Sequence, residues 1–511
     1  MAAPLVSEAP PWAGWRVRKM RDGGRFGMRL SSKWMAVAAV AWLGVAVVAA
    51  GNADLRLIEA IQDQDHEAVR ALLADKVDVN AAEGDGATAL HWAVVRDDSE
   101  VVEALLGAGA DANAANDYGV TPLLLACTNR NAVVVGKLLD AGADPNAATE
   151  MGETALMTCA KTGTAEALEA LLDHGAKVDA REASHGQTAL MWAATQENPD
   201  AVRVLLARGA DVDARSDTHL LPVNLGVGNP FEDFVLQPQR GSTPLMFAAR
   251  NGRVDNARLL LDAGADVNVK APNGESALVL ASFSDQGKVA ALLLERGADA
   301  MAADAGYTAL HTAVSRGDAE LVKALCAHDA DPNARLTNGS LQQRNLNFYS
   351  LSAQLAGATP FWLAAKYAEV DIMRALADCG ADPLLMPDNG ITPLMAAAGQ
   401  GWATRASNRR GQGIGVDAAL LLVQAGEHST LEATRIALDL GGDVNATDPD
   451  GNTALHAAVR LGYQAVVDLL IEHGARLDAK NNNDQSPQDL MCIDAEGRLV
   501  RGQGRRGSCS G

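Results

Sequence analysis

Apolar residues recur along this chain as pairs of short bursts separated by polar turns. The clearest pair lies between Thr88 and Asn113, where apolar residues at helical spacing follow Thr88 and start again after Asp97 and Asp98. Spacing of three and four residues indicates helices with one buried face, and threonine is a favoured helix N-cap. Gly109 follows the second burst, where a left-handed residue can end a helix. The pattern therefore predicts two short helices joined by a turn.

This unit returns at intervals that are mostly close to 33 residues. Each copy opens with a tetrapeptide such as Thr-Ala-Leu-His or Thr-Pro-Leu-Met, and a glycine stands two residues before each opening, from Gly86 to Gly451. The openings begin at Thr88, Thr121, Thr154, Thr188, Thr243, Ser276, Thr308, Thr359, Thr392 and Thr453. The period, the openings and the Gly-Ala-Asp-x-Asn exits resemble the ankyrin repeat family. This resemblance implies an all-α ankyrin-repeat solenoid of about eleven helix-turn-helix repeats, with finger loops between neighbouring repeats.

The resemblance extends over residues 54–490, which we predict to form one repeat domain. The first copy lacks the Thr-x-Leu opening and carries polar residues on its outer side, as a terminal repeat that faces water requires. Three long spacings mark insertions at about residues 216–240, 336–356 and 401–430. The first two fall in finger loops, and their apolar residues either contact a partner or fold back over the neighbouring groove.

The third insertion divides the tenth repeat between its two helices. Val416 to Val423 predicts an extra helix, after which the repeat resumes at Leu431. The C-terminal residues 491–511 are rich in Gly, Arg and Ser, and we expect them to form a disordered tail.

Residues 1–53 form an N-terminal extension with the pattern of a secretory signal peptide. A basic stretch precedes the sixteen uncharged residues from Met35 to Ala50, and small residues follow where cleavage would occur. The apolar core is shorter than the ~20 residues of a typical transmembrane helix, although an uncleaved membrane anchor stays open as the alternative. We expect the array to be exported, periplasmic or secreted, with membrane contact only if Met35–Ala50 is retained. Export and the Gly-Ala-Asp-Val-Asn-Ala segments resemble bacterial exported ankyrin repeat proteins.

The charge of the chain bears on its partners. The formal net charge is −21; residues 1–53 hold seven Lys/Arg and two Asp/Glu and so contribute +5, which leaves −26 for the rest. An acidic array of this size repels nucleic acid and anionic membrane surfaces, and it favours basic partners or simply solubility. We therefore expect another protein, and no nucleic acid, as the partner.

The six cysteines show no Cys-x-x-Cys or zinc-binding spacing. Cys127 and Cys159 stand among the small residues of first helices, and we interpret them as buried fillers. Cys326 and Cys379 stand near the ends of second helices in adjacent repeats. A disulfide between them is compatible with this pattern, although sequence alone does not place them within bonding distance.

The candidate chemical groups recur with the structural period. His91, His311 and His456 share the fourth place of the opening, where in ankyrin proteins the histidine ties the loop to the Thr hydroxyl. The Asp-x-Asn pairs, such as Asp111 and Asn113, lack the terminal Glu of a calcium-binding loop, so we interpret them as turn formers.

The sequence predicts no enzyme activity, no catalytic residues, no cofactor and no metal site. It contains no nucleophile elbow and no phosphate-binding loop, and no stretch remains that could fold as a catalytic domain. An enzyme that uses the inserted loops is the alternative, for which the first loop offers only His219, Glu232 and Asp233.

We predict a non-enzymatic protein-protein interaction scaffold that presents a rigid concave ankyrin surface. A membrane-anchored organiser or a regulator of a neighbouring exported enzyme is the alternative. In ankyrin proteins, partners usually contact fingertips and the exposed ends of first helices. The resemblance, together with the apolar insertions, therefore selects candidate partner-binding residues: Tyr118, Asn129, Met151, Lys161, His185, Gln196, Phe231, Phe234, Arg250, Tyr307, Arg316, Phe348, Tyr349, Lys366 and Tyr367.

Overall fold

The computed structural model describes residues 54–224, 234–337, 355–399, 416–493 and 499–500. The predicted signal peptide or anchor lies outside these residues. So do Phe231, Phe348 and Tyr349 of the inserted fingers and residues 501–511 of the predicted tail.

The described residues form pairs of short helices. The helices are α1 (Arg56–Gln62), α2 (His66–Ala74), α3 (Ala89–Val95), α4 (Ser99–Gly107), α5 (Pro122–Thr128), α6 (Ala132–Asp140), α7 (Ala155–Thr162), α8 (Ala165–Asp173), α9 (Ala189–Ala194), α10 (Pro199–Ala207), α11 (Pro244–Arg250), α12 (Val254–Asp262), α13 (Ala277–Phe283), α14 (Gly287–Glu295), α15 (Ala309–Arg316), α16 (Ala319–Ala327), α17 (Pro360–Lys366), α18 (Val370–Asp378), α19 (Pro393–Ala397), α20 (Val416–Asp439), α21 (Ala454–Leu461) and α22 (Gln464–Glu472), and a short 3-10 helix follows at Gln488–Leu490. Each odd-numbered helix packs on the next odd-numbered helix, and each even-numbered helix on the next even-numbered one. These two layers confirm the predicted ankyrin-repeat solenoid.

The opening tetrapeptides start the first helices for local reasons. Thr121 is extended, and its Oγ1 accepts the backbone N–H of Leu124 at 3.4 Å. Pro122 occupies the first helical position, where its missing N–H costs nothing. Gly163 ends α7 in the left-handed region with φ of 79°, a conformation that glycine adopts without strain.

Small and branched apolar side chains fill the space between the two helix layers. Leu105, Leu138 and Leu171 stand at equivalent places in successive second helices, and none of them has exposed surface. Among the described residues, Phe361 and Trp362 of α17 are the largest fully buried side chains. Because each repeat buries this face only against its neighbours, the stabilising contacts are spread along the array.

The first insertion contains a β-hairpin that the sequence analysis did not predict. Strand β1 (Thr218–Asn224) pairs antiparallel with β2 (Phe234–Arg240) in a continuous register. Regular fingers already contain the start of such pairing, as in the antiparallel bridge between Ala148 and Thr154. A longer insertion that is rich in Leu and Val extends the same pairing.

The segment predicted to be a disordered tail begins with a second short strand pair. Strand β3 (Cys492–Ile493) pairs antiparallel with β4 (Leu499–Val500). Ile, Leu and Val are residues that strands favour, and the Gly/Arg/Ser composition on which the prediction rested is concentrated beyond them.

The third insertion ends in one continuous helix, which corrects the predicted separate helix at Val416–Val423. Helix α20 runs for 24 residues and includes the predicted restart of the repeat at Leu431. The stretch between contains no proline, and a single glycine costs a helix only about 1 kcal/mol. That glycine, Gly426, also gives room to Tyr463, because an added Cβ would lie 3.2 Å from the Tyr463 hydroxyl.

Two disulfides cross-link neighbouring repeats. Cys127 of α5 bonds to Cys159 of α7, with Cα atoms 4.7 Å apart, so their interpretation as fillers is right about burial and wrong about their bonding. Cys326 of α16 bonds to Cys379, which follows α18, with Cα atoms 5.8 Å apart. The first disulfide is fully buried between first helices, whereas the second is half-buried between second helices.

Candidate functional site

The fingers form a row that is held together by backbone hydrogen bonds between their tips. In each bond, an N–H of one finger donates to a carbonyl of the preceding finger. The bonds run from Asp117 to Asp85 (2.8 Å), from Glu150 to Tyr118 (3.4 Å), from Ala183 to Met151 (2.8 Å) and from Asp217 to His185 (2.6 Å). The side chains at the tips therefore stand in fixed relation to one another before any partner binds.

The glycine that precedes each opening is what lets the fingers approach so closely. Gly119 has φ of 73°, and a Cβ there would lie 2.9 Å from Thr149 Cα in the next finger. Gly152 has φ of 76°, and a Cβ there would lie 2.8 Å from the Ala183 nitrogen. Both the conformation and the close packing require glycine.

The recurrent histidines are structural, as predicted. His91 Nδ1 accepts the Thr88 N–H at 3.1 Å, and Nε2 lies 3.0 Å from the Val120 carbonyl, so Nε2 carries the proton. His311 and His456 make the equivalent bonds in their repeats. Burial lowers the pKa of all three imidazoles, that of His311 to about 4. They are neutral groups that join a first helix to the next finger.

The Asp-x-Asn turns at the exits of the repeats form a second row of hydrogen bonds along one edge of the array. The Asp111 carboxylate accepts the Asn113 N–H at 2.9 Å, which confirms the predicted turn. The Asn113 side chain then donates to Gly142 O at 2.9 Å and accepts from Asp144 N at 2.6 Å, both in the next repeat. We call this recurring pair of bonds the asparagine ladder. Complete rungs occur at Asn80, Asn113, Asn146, Asn268, Asn333 and Asn445.

Two of the predicted partner-binding residues donate hydrogen bonds to carbonyls of the preceding repeat. Asn129 Nδ2 donates to Val94 O at 2.5 Å, and Arg316 Nε donates to Phe283 O at 2.7 Å. In both cases, the acceptor is a carbonyl at the end of the preceding first helix, where carbonyls have no partner within the helix. These donors therefore serve as caps between repeats, a role that the sequence analysis missed.

Tyr307 corrects the prediction that places it on the surface. Only 3% of this side chain is exposed, and its hydroxyl donates to Glu275 Oε1 at 2.8 Å. Burial and the neighbouring Glu275 charge raise the pKa of Tyr307 well above its usual value. Tyr307 immediately precedes Thr308, and this place lies on the inner side of the finger, so its aromatic ring joins the core.

The two lysines at first-helix ends lie over tryptophan rings. Lys161 Nζ is 5.5 Å from the centre of the Trp192 ring, and Lys366 Nζ is 5.6 Å from that of Trp362. Lys161 is exposed, whereas Lys366 is half-buried, and burial lowers the pKa of its ammonium group. A cation over an aromatic face is stabilising, so both lysines already have an intramolecular role.

The other candidates whose side chains the structure describes are accessible to different degrees. Tyr118 and Met151 are 58% and 61% exposed at adjacent fingertips. Arg250 is exposed at the end of α11, while His185, Gln196 and Tyr367 are half-buried. Phe234 is the first residue of β2. The described fingers therefore present one pair of strongly exposed large apolar side chains on neighbouring tips.

An arginine closes the base of each inserted finger, and the sequence analysis missed both. Arg215 and Arg335 each bond two carbonyls, one at the end of the insertion and one in the following finger. Arg215 Nη1 donates to Gly241 O (3.4 Å) and Lys270 O (2.9 Å), and Arg335 Nη1 donates to Gly357 O (3.3 Å) and Met386 O (3.1 Å). Their position in the sequence could have identified them. Each stands two residues after the last Asp or Asn of an exit, directly before an insertion.

The described ranges contain no cluster of three His, Cys, Asp or Glu side chains that could hold a metal ion. None of their helices combines the length and apolar character that crossing a membrane requires.

Comparison with known proteins gives consistent matches. The family profile described as "Ankyrin repeats (3 copies)" matches residues 57–149, 134–216, 219–304, 271–336, 298–386 and 410–484. A Danio rerio protein named as a palmitoyltransferase, ZDHHC13, is 27% identical over 50% of this chain and 34% of its own length. A Treponema pallidum (strain Nichols) protein named for its ankyrin repeats is 31% identical over 28% of this chain and 42% of its own length. The matches thus span less than half of either relative.

Solved structures match as well. The ankyrin repeat domain of human ASB11 is 29% identical, with a TM-score of 0.39, and the match covers 48% of this chain and 98% of that domain.

Proposed function

Because the chain belongs to the ankyrin repeat family, whose profile matches more than half of its residues, we propose that it is a non-enzymatic protein-binding scaffold that acts outside the cytoplasm. Ankyrin repeats are protein-protein interaction modules and typically have no catalytic centre.

The location of the binding site is inferred from one observation, the hydrogen-bonded row of fingertips. A partner that binds preformed loops avoids the entropic cost of ordering them. The arginine closures of Arg215 and Arg335 extend this order to the bases of both inserted fingers. We therefore infer that partners bind along the finger row, the inserted fingers included.

Two features support export. The two disulfides are of a kind that persists in oxidising compartments and is rare in a reducing cytosol. The basic and apolar pattern that ends at Ala50 is that of a secretory signal peptide. If Met35–Ala50 is retained, the same array becomes a membrane-anchored organiser, and a regulator of a neighbouring exported enzyme stays a second form of the same proposal.

We assign a catalytic role to no residue of this chain. Among the described residues, the buried groups with strongly shifted pKa values, which often mark active sites, are His311 and Tyr307, and both are held in structural bonds between repeats.

The binding site is tested by affinity capture from the extracytoplasmic fraction of the native organism. The intact chain is compared with a variant whose first two insertions are shortened to regular fingers, and with a control shortened only at residues 401–415. Loss of a partner from the first variant alone would assign binding to the inserted fingers. A partner kept by all three would move the site to the regular fingers, and capture of none would contradict the scaffold function.

The compartment is tested on the mature protein. An N-terminus between Gly51 and Asp54, in a soluble extracytoplasmic fraction, supports cleavage and export. An intact N-terminus in the membrane fraction supports the anchored form, and an intact N-terminus in the cytoplasm contradicts export.

A further inference from the structure

The first three fingers are negatively charged. These fingers, residues 81–87, 114–120 and 147–153, contain five acidic residues and no Lys or Arg. The acidic residues are Glu83, Asp85, Asp117, Glu150 and Glu153. A partner that approaches these three fingers therefore meets only negative formal charge.

Three of the five carboxylates are already engaged. Glu83 accepts the Trp92 indole N–H at 2.8 Å, Glu153 accepts the Thr158 hydroxyl at 2.8 Å, and Asp85 accepts the Ala87 N–H at 3.1 Å. Asp117 and Glu150 are exposed, and neither side chain has a hydrogen bond or ion pair with another residue in the described part of the chain. These two carboxylates are available to a cation from outside.

Each available carboxylate stands next to an exposed apolar side chain. Tyr118 follows Asp117, and Met151 follows Glu150, at the same place in adjacent fingers. The bond from Glu150 N to Tyr118 O fixes these two tips side by side. Tyrosine is enriched at binding hot spots, and methionine adapts its shape to different apolar partners. We call these four residues the fingertip patch.

We propose that the fingertip patch binds an extended segment of another protein in which Lys or Arg alternates with large apolar residues. The alternation matches the patch, because each tip offers one carboxylate beside one apolar side chain. The −26 charge of the chain beyond residue 53 steers a basic segment toward it. This inference rests on the proposed scaffold function and names the chemistry of its partner.

A direct binding measurement tests the patch on the full chain. The probe is a short fluorescent peptide in which Lys and Leu alternate, with two comparison peptides that replace Lys by Glu or Leu by Ser. Tyr118→Ser with Met151→Ser should weaken binding of the Lys/Leu peptide about tenfold. The matched control, Met301→Ser with Leu384→Ser, removes two apolar side chains of similar exposure (56% and 55%) from exit turns and should leave binding unchanged.

The charge contribution is tested separately. Asp117→Asn with Glu150→Gln should weaken binding and reduce its salt dependence, because screening acts on the charges that this variant removes. All four replaced side chains are exposed, so the variants should keep the circular dichroism spectrum and melting temperature of the parent. Equal binding of the Glu peptide, or loss of binding only in the exit-turn control, would overturn the proposal.

Failure of this inference and failure of the scaffold function give different results. If native partners are captured equally by the parent and by the fingertip variants, the scaffold function stands and the patch is not the site. If the parent forms dimers that the fingertip variants do not form, the occupant is a second copy of the chain, and the proposal fails. Capture by the parent with loss in the fingertip variants supports both.

Discussion

His311 is fully enclosed, with its ring nitrogens bonded to Thr308 and to the Ala358 carbonyl of the next repeat. Its pKa is about 4 in the folded protein, against about 6.5 for a free histidine. Between these values the unfolded chain binds the proton first, so the stability of this repeat is complete above about pH 6.5 and is lost as the pH falls toward 4. The slope reaches about 1.4 kcal/mol per pH unit.

We predict that His311→Met reduces this acid sensitivity. Methionine occupies the same place in the openings at Thr154, Thr188 and Thr243, so the core accepts it. Between pH 6.5 and 5 the variant should lose about 2 kcal/mol less opening free energy than the parent. Native-state hydrogen exchange in α15 measures this quantity. Replacing the exposed His174 by Met is the control, and equal acid sensitivity in the parent and His311→Met would refute the prediction.

Single residues also show which roles can be predicted from the sequence and which cannot. Thr121 and Pro122 act within their own helix, so local patterns can predict their roles. Asn129 and Tyr307 act on a carbonyl or a carboxylate about one repeat away, and nothing in their local sequence distinguishes a cap or a core ring from a binding residue. The contacts that the sequence analysis missed are mostly contacts between repeats.

Among the elements, the β1–β2 hairpin has an unusual arrangement of prolines. Pro222 pairs with Leu236, and Pro238 pairs with Leu220, two places along the same register. Antiparallel pairs alternate between bonded and non-bonded types, and a proline nitrogen cannot donate in a bonded pair. Both prolines therefore occupy non-bonded pairs, where the backbone N–H would otherwise point away from the hairpin. Each outer edge of the hairpin therefore lacks one backbone N–H donor.

We predict that these prolines limit strand addition at the edges of the inserted finger. Pro222→Thr with Pro238→Thr should restore one outward N–H on each edge and increase concentration-dependent self-association, as measured by light scattering. Gln237→Thr with Gln239→Thr adds the same residue type at places where the N–H already bonds the partner strand, and should have no such effect. Equal self-association in both variants would show that strand propensity, not the edge donor, is responsible.

The register of this hairpin and the continuity of α20 were beyond sequence analysis for a common reason. Turn and helix patterns in an insertion have no period to support them. The choice between a loop and a hairpin depended on pairing that begins at the base of the same finger, where Ser216 N donates to Ser242 O at 3.0 Å. The resumption of the tenth repeat at Leu431 was predicted from its pattern, but the helix that leads into it was divided in two.

At the scale of the whole array, the two disulfides differ in accessibility. Cys127 and Cys159 have no exposed surface, whereas Cys326 and Cys379 are half-buried. Thiol-disulfide exchange requires a thiolate to reach a sulfur atom, so we predict that a dithiol reductant opens the Cys326–Cys379 bond first under native conditions. Timed alkylation and peptide mass spectrometry measure the order. In denaturant the difference should disappear, and faster native reduction at Cys127 would contradict the prediction.

The asparagine ladder has two gaps in the described array, where both of its bonds are missing, whereas Asp179 and Asp213 each keep one of the two bonds. Met301 and Leu384 occupy the place of the bridging asparagine, and each keeps the bond within its own turn to Asp299 or Asp382. Their side chains cannot supply the pair of bonds to the next repeat, which are worth about 1 kcal/mol each elsewhere. Between the gaps lie helices α15 to α18, joined by the Asn333 rung and the Cys326–Cys379 disulfide.

This distribution of bonds between repeats divides the array into mechanical blocks. Under a stretching force applied to its ends, the exit-turn edge should part first after Met301 and after Leu384, and the cross-linked block between these two places should detach as one piece. Met301→Asn and Leu384→Asn should raise the force of these first events in optical-tweezers traces, whereas Val133→Asn, at an exposed place in α6, should not. The second inserted finger joins the two repeats of that block, so a partner that holds it would load the array through a cross-linked segment.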